Sequence, residues 1–340
     1  MVSALEQLSK AGVTMNRTNS PSLRGETFFR TLAVFLAAFL LAGCSINRMA
    51  INAVSDALTS GGSSSVFTGD PDPELVGDAL PFAIKMYEVL LANNPGHEGL
   101  TLTTGSLFIM YANAFVQGPA EFLPVVRFEE REAALERAKT LYLRGTDLIL
   151  SGLDKKYPGF LSALSLENPL APFFAKMKKD DVPFLYWAAA GGLSAFSLNP
   201  FDSALGRRVP GLMACVDRAY ELDPGFNSGA LDDLYVITLS ALPEAMGGDK
   251  NRAKDHFPLA LEKSGGKLAG PYVSYAQSVA VPAQDYEAFR MYLETALAID
   301  PGADPANRLL NIISQRKARN LLNSASNYFI LEEEDPAALP

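Results

Sequence analysis

The chain holds only two histidines, His97 and His256, to carry proton transfer or bind a metal. His97 follows Pro95-Gly96, where a helix is expected to start, and reads as a surface residue. His256 lies in a charged stretch beside Phe257 and reads as exposed or half-exposed. Neither has a second ligand three or four residues away, so no metal site is expected. The acid pairs Asp180-Asp181 and Asp232-Asp233 stand where helices begin. There carboxylates complement the positive helix end, and capping is their expected role rather than catalysis. Gly265-Gly266-Lys267 lacks the upstream glycine of a phosphate loop. No nucleophile elbow, HExxH or calcium loop occurs. A hydrolase would need a buried carboxylate pair or a Ser–His contact, and the sequence pairs neither. No catalytic residue and no cofactor is expected.

One cysteine does carry a chemical signal. The run Thr31–Leu41, TLAVFLAAFLL, is about half the roughly 20 residues that span a bilayer. It follows Arg24 and Arg30 and ends in small residues, as a secretory signal does. Leu41-Ala42-Gly43-Cys44 looks like a lipobox, the signal of bacterial lipoproteins. That likeness implies cleavage before Cys44 and acyl chains on its sulfur and amine, with Met15 as a plausible start. Residues 1–43 carry four basic groups and two acids, so the chain from Cys44 onward is near −11, against −9 for the whole. With Cys44 lipidated, Cys215 has no partner and reads as an inert core thiol in GLMACVDRAY. Lipidation alone would hold the protein at a membrane without a transmembrane helix.

These residues need elements to position them, and the pattern of the remainder is helical. Stretches such as LVGDALPFAIKMYEVLLANN and FEEREAALERAKTLYLRGTDLILSGL repeat apolar residues at i, i+3, i+4 and i+7. Pro-Gly pairs at Pro95, Pro158, Pro224 and Pro301 end helices and lie 63, 66 and 77 residues apart. Two tetratricopeptide repeats take about 68 residues. The small–aromatic–small spacing of such repeats occurs at Ala253, Phe257 and Ala260, and in part at Ala83, Tyr87 and Leu90. Ala219–Pro224 and Ala296–Pro301 read as repeat ends, and Trp187-x2-Ala190-Gly191 as a first helix. The expected fold is all-α, a helical-hairpin (TPR-like) repeat array behind a lipoprotein signal and a flexible tether. Its expected boundaries are a signal peptide over 1–43, a lipidated tether over 44–72, the repeat domain over 73–330 and an acidic tail over 331–340. The tether includes a short helical pattern over Arg48–Leu58 and the flexible run Ser60-Gly-Gly-Ser-Ser-Ser65. Long loops are expected over Gln117–Pro124 and Asn199–Pro210.

Composition narrows the remaining functions. With 340 residues, 48% hydrophobic and 20% charged, the chain is an ordinary globular protein. Its net charge of −9 repels polyanions, so no nucleic acid is expected as a partner. What is left is surface. Repeat arrays bind along the face lined by the first helix of each pair. The first-helix candidates LFIMYANAF, LYWAAAGGLSAF, LYVITLSAL and GPYVSYAQSVAV are small, apolar and aromatic. Their candidate ligand-binding residues are Tyr111, Phe115, Trp187, Tyr235, Tyr272 and Tyr275, which would line an apolar groove with a few hydroxyls. The competing reading is that these aromatics simply fill the core.

The ordered set of LAGCS, FAIKMYEVLLANNPGHEGL, REAALERAKTLYLRG and the ELDPG and AIDPG ends resembles the TatT lipoproteins. These are the T components of tetratricopeptide-protein-associated TRAP transporters in spirochaetes and other bacteria. The resemblance implies a non-enzymatic, lipid-anchored protein of the bacterial envelope with its folded part facing the periplasm. It implies a homotrimer that binds a periplasmic solute-binding protein of the TRAP type. It also implies a pore for a hydrophobic or amphipathic small molecule, such as a carboxylate. No residue-level motif carries over except Cys44. The alternative is a scaffold for envelope protein assembly with no ligand path.

Overall fold

The computed structural model describes residues 51–59, 66–165 and 169–330. The signal segment, Cys44, the run over 60–65 and the tail over 331–340 lie outside the described residues. Among the described residues the regular structure is helical throughout, with no strand. The principal helices are α1 (51–59), α2 (Pro73–Asn93), α3 (Glu98–Tyr111), α4 (Phe128–Lys156), α5 (Phe160–Ser165), α6 (Val182–Leu198), α7 (Ser203–Leu222), α8 (Ala230–Ala241), α9 (Lys250–Ser264), α10 (Gly270–Tyr275), α11 (Tyr286–Ala298) and α12 (Arg308–Asn323).

Local chemistry fixes most helix ends. Asp72 accepts from the N–H groups of Glu74 and Leu75 and caps α2, with Pro73 in the first turn, where its missing N–H costs nothing. Asp202 and Asp249 cap α7 and α9 in the same way. His97 is the cap of α3, its Nδ1 accepting from Leu100 N–H at 3.0 Å. Helix α4 has Glu129 and Glu130 in its first turn and Lys155 and Lys156 in its last, matching the helix dipole at both ends. All four Pro-Gly pairs fall in connections between helices.

Two expected loops are shorter than the sequence suggested. Helix α3 does not stop before Gly118-Pro119. It runs on through a π-helical segment, Ala112–Gln117, and one more turn, Gly118–Glu121. Proline lacks an N–H and its ring crowds the carbonyl four residues back. The wider π turn relieves both conflicts, because Gly118 N–H bonds to Asn113 O, five residues back. The same device follows α10, where the π segment Ala276–Ala280 precedes Pro282. The other expected loop shrinks to 199–202, because Pro210 lies inside α7.

Successive helices run antiparallel, so the array has two ends. Lys155 Nζ donates to Pro95 O at 2.9 Å, placing the C-terminus of α4 at the α2–α3 turn. Asp181, just before α6, takes Lys156 at 2.9 Å and Tyr157 OH at 2.7 Å. Lys179 pairs with Asp223 at 3.0 Å, which brings the end of α7 to the same place. This is the Pro95 end. The start of α2, the end of α3, the start of α4 and the α6–α7 connection lie at the opposite, Val125 end. Helix α1 is fastened at the Pro95 end. Asn94 Nδ2 donates to Asn52 Oδ1 at 2.6 Å, His97 Nε2 meets Asp56 at 2.9 Å and Tyr87 OH donates to Leu58 O at 2.8 Å.

The main core joins α3, α4, α6, α7 and α8 around Tyr142, Ile149, Leu185, Leu212 and Tyr235. Small residues let the helices approach. A Cβ on Gly145 would stand 2.5 Å from Gly105 O, and one on Gly191 would stand 2.6 Å from Ile109 Cδ1. Ala219, Ala253, Ala260 and Ala296, all in the repeat-like spacings, are fully buried. A second core joins α10, α11 and α12, with Phe122 from the far side of the array packed against it. The last helix then returns to α2: its Leu309 shares an apolar cluster with Val76, Leu80 and Ile84.

Candidate functional site

The seam where α12 meets α2 and the end of α3 is not filled. It holds a cleft of about 460 Å³. Phe115, Phe122 and Ile313 supply apolar wall, while Glu121, Arg316 and Lys317 supply charge. Tyr111 stacks on Phe115 with centroids 5.9 Å apart, and both line the cleft. The π segment is what carries Phe115 and Gln117 to this wall.

The polar side of the cleft is a chain of hydrogen bonds running out from the core. Asn113 Nδ2 donates to Tyr142 OH at 3.1 Å, and Tyr142 OH donates to Gln117 Oε1 at 2.6 Å. Gln117 Nε2 donates to Glu121 Oε1 at 2.7 Å. Glu121 Oε2 has no hydrogen bond, but Lys317 Nζ stands 3.3 Å away as its ionic partner. Outside this row Arg316 grips Glu74 through both guanidinium nitrogens, one pair at 2.9 Å. That grip holds the Glu74 carboxyl below its usual range. Burial raises the Tyr142 hydroxyl, so it stays a proton donor.

A second polar group lies on α8. Burial pushes the Asp233 carboxyl up to about 6. Ser274 and the Lys317 charge pull it down, and the Asp232 charge adds to the rise. Its Oδ1 has no hydrogen-bond partner. Tyr186 of α6 is raised by burial and then by the Asp233 charge. Its neighbour Asp232 points the other way into a closed cluster. His256 Nδ1 stands 2.8 Å from Asp232 Oδ1, and Lys263 Nζ 2.6 Å from Oδ2. His256 stacks on Tyr235 at 4.3 Å and meets Tyr220 edge-on at 5.5 Å.

This corrects the reading of His256 as an exposed or half-exposed side chain, for it is buried. The charges beside it in sequence sit on other faces of α9, while position 256 turns toward α8. Asp232 and Asp181 likewise do more than cap. Each is a buried carboxylate tying helices together. Cys215 is buried and free, and burial pushes its thiol up to about 12. Among the described residues no cluster of metal-ligating side chains occurs.

Of the six candidate ligand-binding residues, the fold brings Tyr111 and Phe115 together at the cleft. Trp187 is half-buried, edge-on to Tyr186 at 5.1 Å. Tyr235 is fully buried, and its hydroxyl donates to Asp217 at 2.6 Å. Its place is the core, with Arg252 over its ring at 4.6 Å. Tyr272 and Tyr275 pack with Phe257 and Tyr292 in a separate aromatic cluster. Sequence reasoning missed Gln117, Glu121, Phe122, Arg316 and Lys317. The first three fell in a supposed loop, and nothing local marks the last two.

Residues 69–329 match the family model described as TRAP transporter T-component. A protein of Treponema pallidum (strain Nichols), described as uncharacterized, is 36% identical over 310 residues. The match covers 87% of this chain and 96% of that protein.

Proposed function

The chain belongs to the TRAP transporter T-component family, and on that premise we propose that it is the lipid-anchored, periplasm-facing partner of a TRAP-type solute-binding protein. The family is a transporter component rather than an enzyme family, which supports a role at the cell envelope. In this reading the hairpins are tetratricopeptide-type repeats, Cys44 carries the lipid, and the seam cleft accepts a hydrophobic or amphipathic solute. The observation that carries it is the cleft itself. Phe115, Phe122 and Ile313 offer an apolar lining, and Lys317 and Arg316 offer cationic groups to a polar head. Both cations are already paired with carboxylates, so a ligand head must compete with Glu121 and Glu74.

Self-association as a trimer has a surface to use. Leu75, Phe82, Met86 and Val89 are exposed on α2, and their spacing of 7, 4 and 3 residues sets them in one stripe. The test is capture from envelope extract with the soluble domain lacking Cys44, followed by mass spectrometry of proteins and bound small molecules. A solute-binding protein with a co-purifying amphipathic molecule is the expected result. A solute-binding protein without ligand removes the conduit role. Other envelope proteins alone overturn the transport reading and favour the scaffold.

A further inference from the structure

The charges lining the seam cleft do not cancel, and the one left over is negative. Glu74, Asp78, Glu121, Arg316 and Lys317 line it. Both cations are already paired, Arg316 with Glu74 and Lys317 with Glu121. Asp78 is exposed on α2 and pairs with no cation among the described residues. The charges just off the wall balance one another. The Asp72 charge reaches Arg316, and the Lys317 charge reaches Asp233. Against these acids stand two bases. Arg137 lies over the Tyr111 ring at 5.6 Å, and Arg131 acts with Glu121 on Tyr328. Arg319, a turn beyond Arg316 on α12, does not line the cleft.

An aromatic wall stands beside that unpaired carboxylate. Phe115 is seated against α2 at Gly77, where a Cβ would stand 2.8 Å from its Cδ1, so the ring packs on the residue next to Asp78. Arg137 already occupies Tyr111, but among the described residues no Lys or Arg lies over Phe115 or Phe122. A carboxylate beside an open aromatic ring is a receptor for a cation, since the ring face carries partial negative charge. We propose that the cleft selects a small organic ammonium, an amine or quaternary ammonium on an apolar body, with Asp78 and the Phe115 ring receiving the cation. This rests on the reading of the cleft as a solute site and names the class of solute.

An organic anion is disfavoured at the same place. To reach Lys317 it must displace Glu121, whose other oxygen is held by Gln117 Nε2 at 2.7 Å. To reach Arg316 it must displace Glu74 from both guanidinium nitrogens. Either exchange leaves a displaced carboxylate beside the incoming one, and like charges at close range repel. An ammonium breaks no existing pair. Its apolar body would meet Phe122 and Ile313, which also line the cleft. The volume of about 460 Å³ is that of an ordinary small-molecule site.

The experiment is equilibrium dialysis of the full lipidated chain in phosphatidylcholine nanodiscs, with empty discs as the reference. Three probes share one apolar body and differ in the head: phenylpropylamine, phenylpropanol and phenylpropanoate. Near neutral pH the first is cationic and the last anionic. The amine is expected to bind about tenfold tighter than the alcohol, and the acid more weakly than either. Asp78→Asn should remove the advantage of the amine and leave the alcohol unchanged. The side chain is exposed and unpaired, so the variant folds, and a coincident thermal melt checks this. Equal binding of amine and alcohol, or tightest binding of the acid, overturns the ammonium assignment and leaves the cleft standing as a solute site. An amine preference that survives Asp78→Asn also overturns it, because the selecting charge then lies elsewhere. If none of the three binds, the solute reading of the cleft falls as well.

Discussion

Helices α4 and α12 each join separate parts of the array, and they do so by opposite means. Helix α4 lies against α3 and α6 almost backbone to backbone. Gly145 faces Gly105, and Gly191 of α6 takes Thr146 and Ile109 with no room for a methyl group. Helix α12 meets α2 through Leu309 at one level. Above it the contact is ionic, Arg316 to Glu74 and Lys317 to Glu121, beside an open cleft. A dry contact of small residues has one packing arrangement and is costly to open. A half-exposed ionic contact costs little to open and close, because water replaces each partner. The array therefore has a fixed interior and a seam that can yield.

The sharpest way to break this contrast is at Gly145. Gly145→Leu drives a side chain into the α3 backbone, and a loss of about 4 kcal/mol or outright failure to fold is expected. A urea titration with an unmoved midpoint would remove the rigid half of the comparison. Next in size is Asp233→Asn. The native carboxyl is held near 6 against an unfolded value near 3.8, so the folded state binds its proton more tightly. Native stability from this group is present at low pH and is lost as pH rises from about 4 through 6. The asparagine variant should be about 2–3 kcal/mol more stable than wild type at pH 8 and equal to it below pH 4. Parallel melts across that range decide it. Lys317→Met leaves Glu121 Oε2 without its ionic partner. About 1 kcal/mol of loss is expected, with faster amide exchange at the end of α3. The smallest effect belongs to Arg316→Ala. Its midpoint should coincide with wild type, while amide exchange over Leu75–Leu80 accelerates. A large drop in stability there would show the seam to be as rigid as the interior.

How much of this could be read from the sequence differs from helix to helix. The four Pro-Gly stops and the buried alanines were legible, because backbone restriction and small-residue packing are local. The extension of α3 was not. Gly118-Pro119 reads as a break, and only the π turn before it lets the helix continue. Tyr111 and Phe115 were found at the cleft as aromatics on one helix. Arg316 and Glu74 lie 242 residues apart, and their meeting depends on the summed rotations of every helix between them. His256 was misplaced because its charged neighbours in sequence hid which face of α9 turns toward Asp232.

The π segment at Ala112–Gln117 has a consequence for chain length. A π turn holds one residue more than an α turn, so the side chains beyond it are aimed by residue count as much as by their own chemistry. Deleting a single residue from that segment would let the turn relax to the α form and keep the side chains beyond it nearly in phase, whereas the same deletion in the α part of α3 would swing everything after it by about 100°. Glu121 would then face away from Lys317, and Phe122 would leave the C-terminal core. Within the π segment the loss of one codon can be absorbed, but elsewhere in α3 it would unlatch α12 from the end of α3.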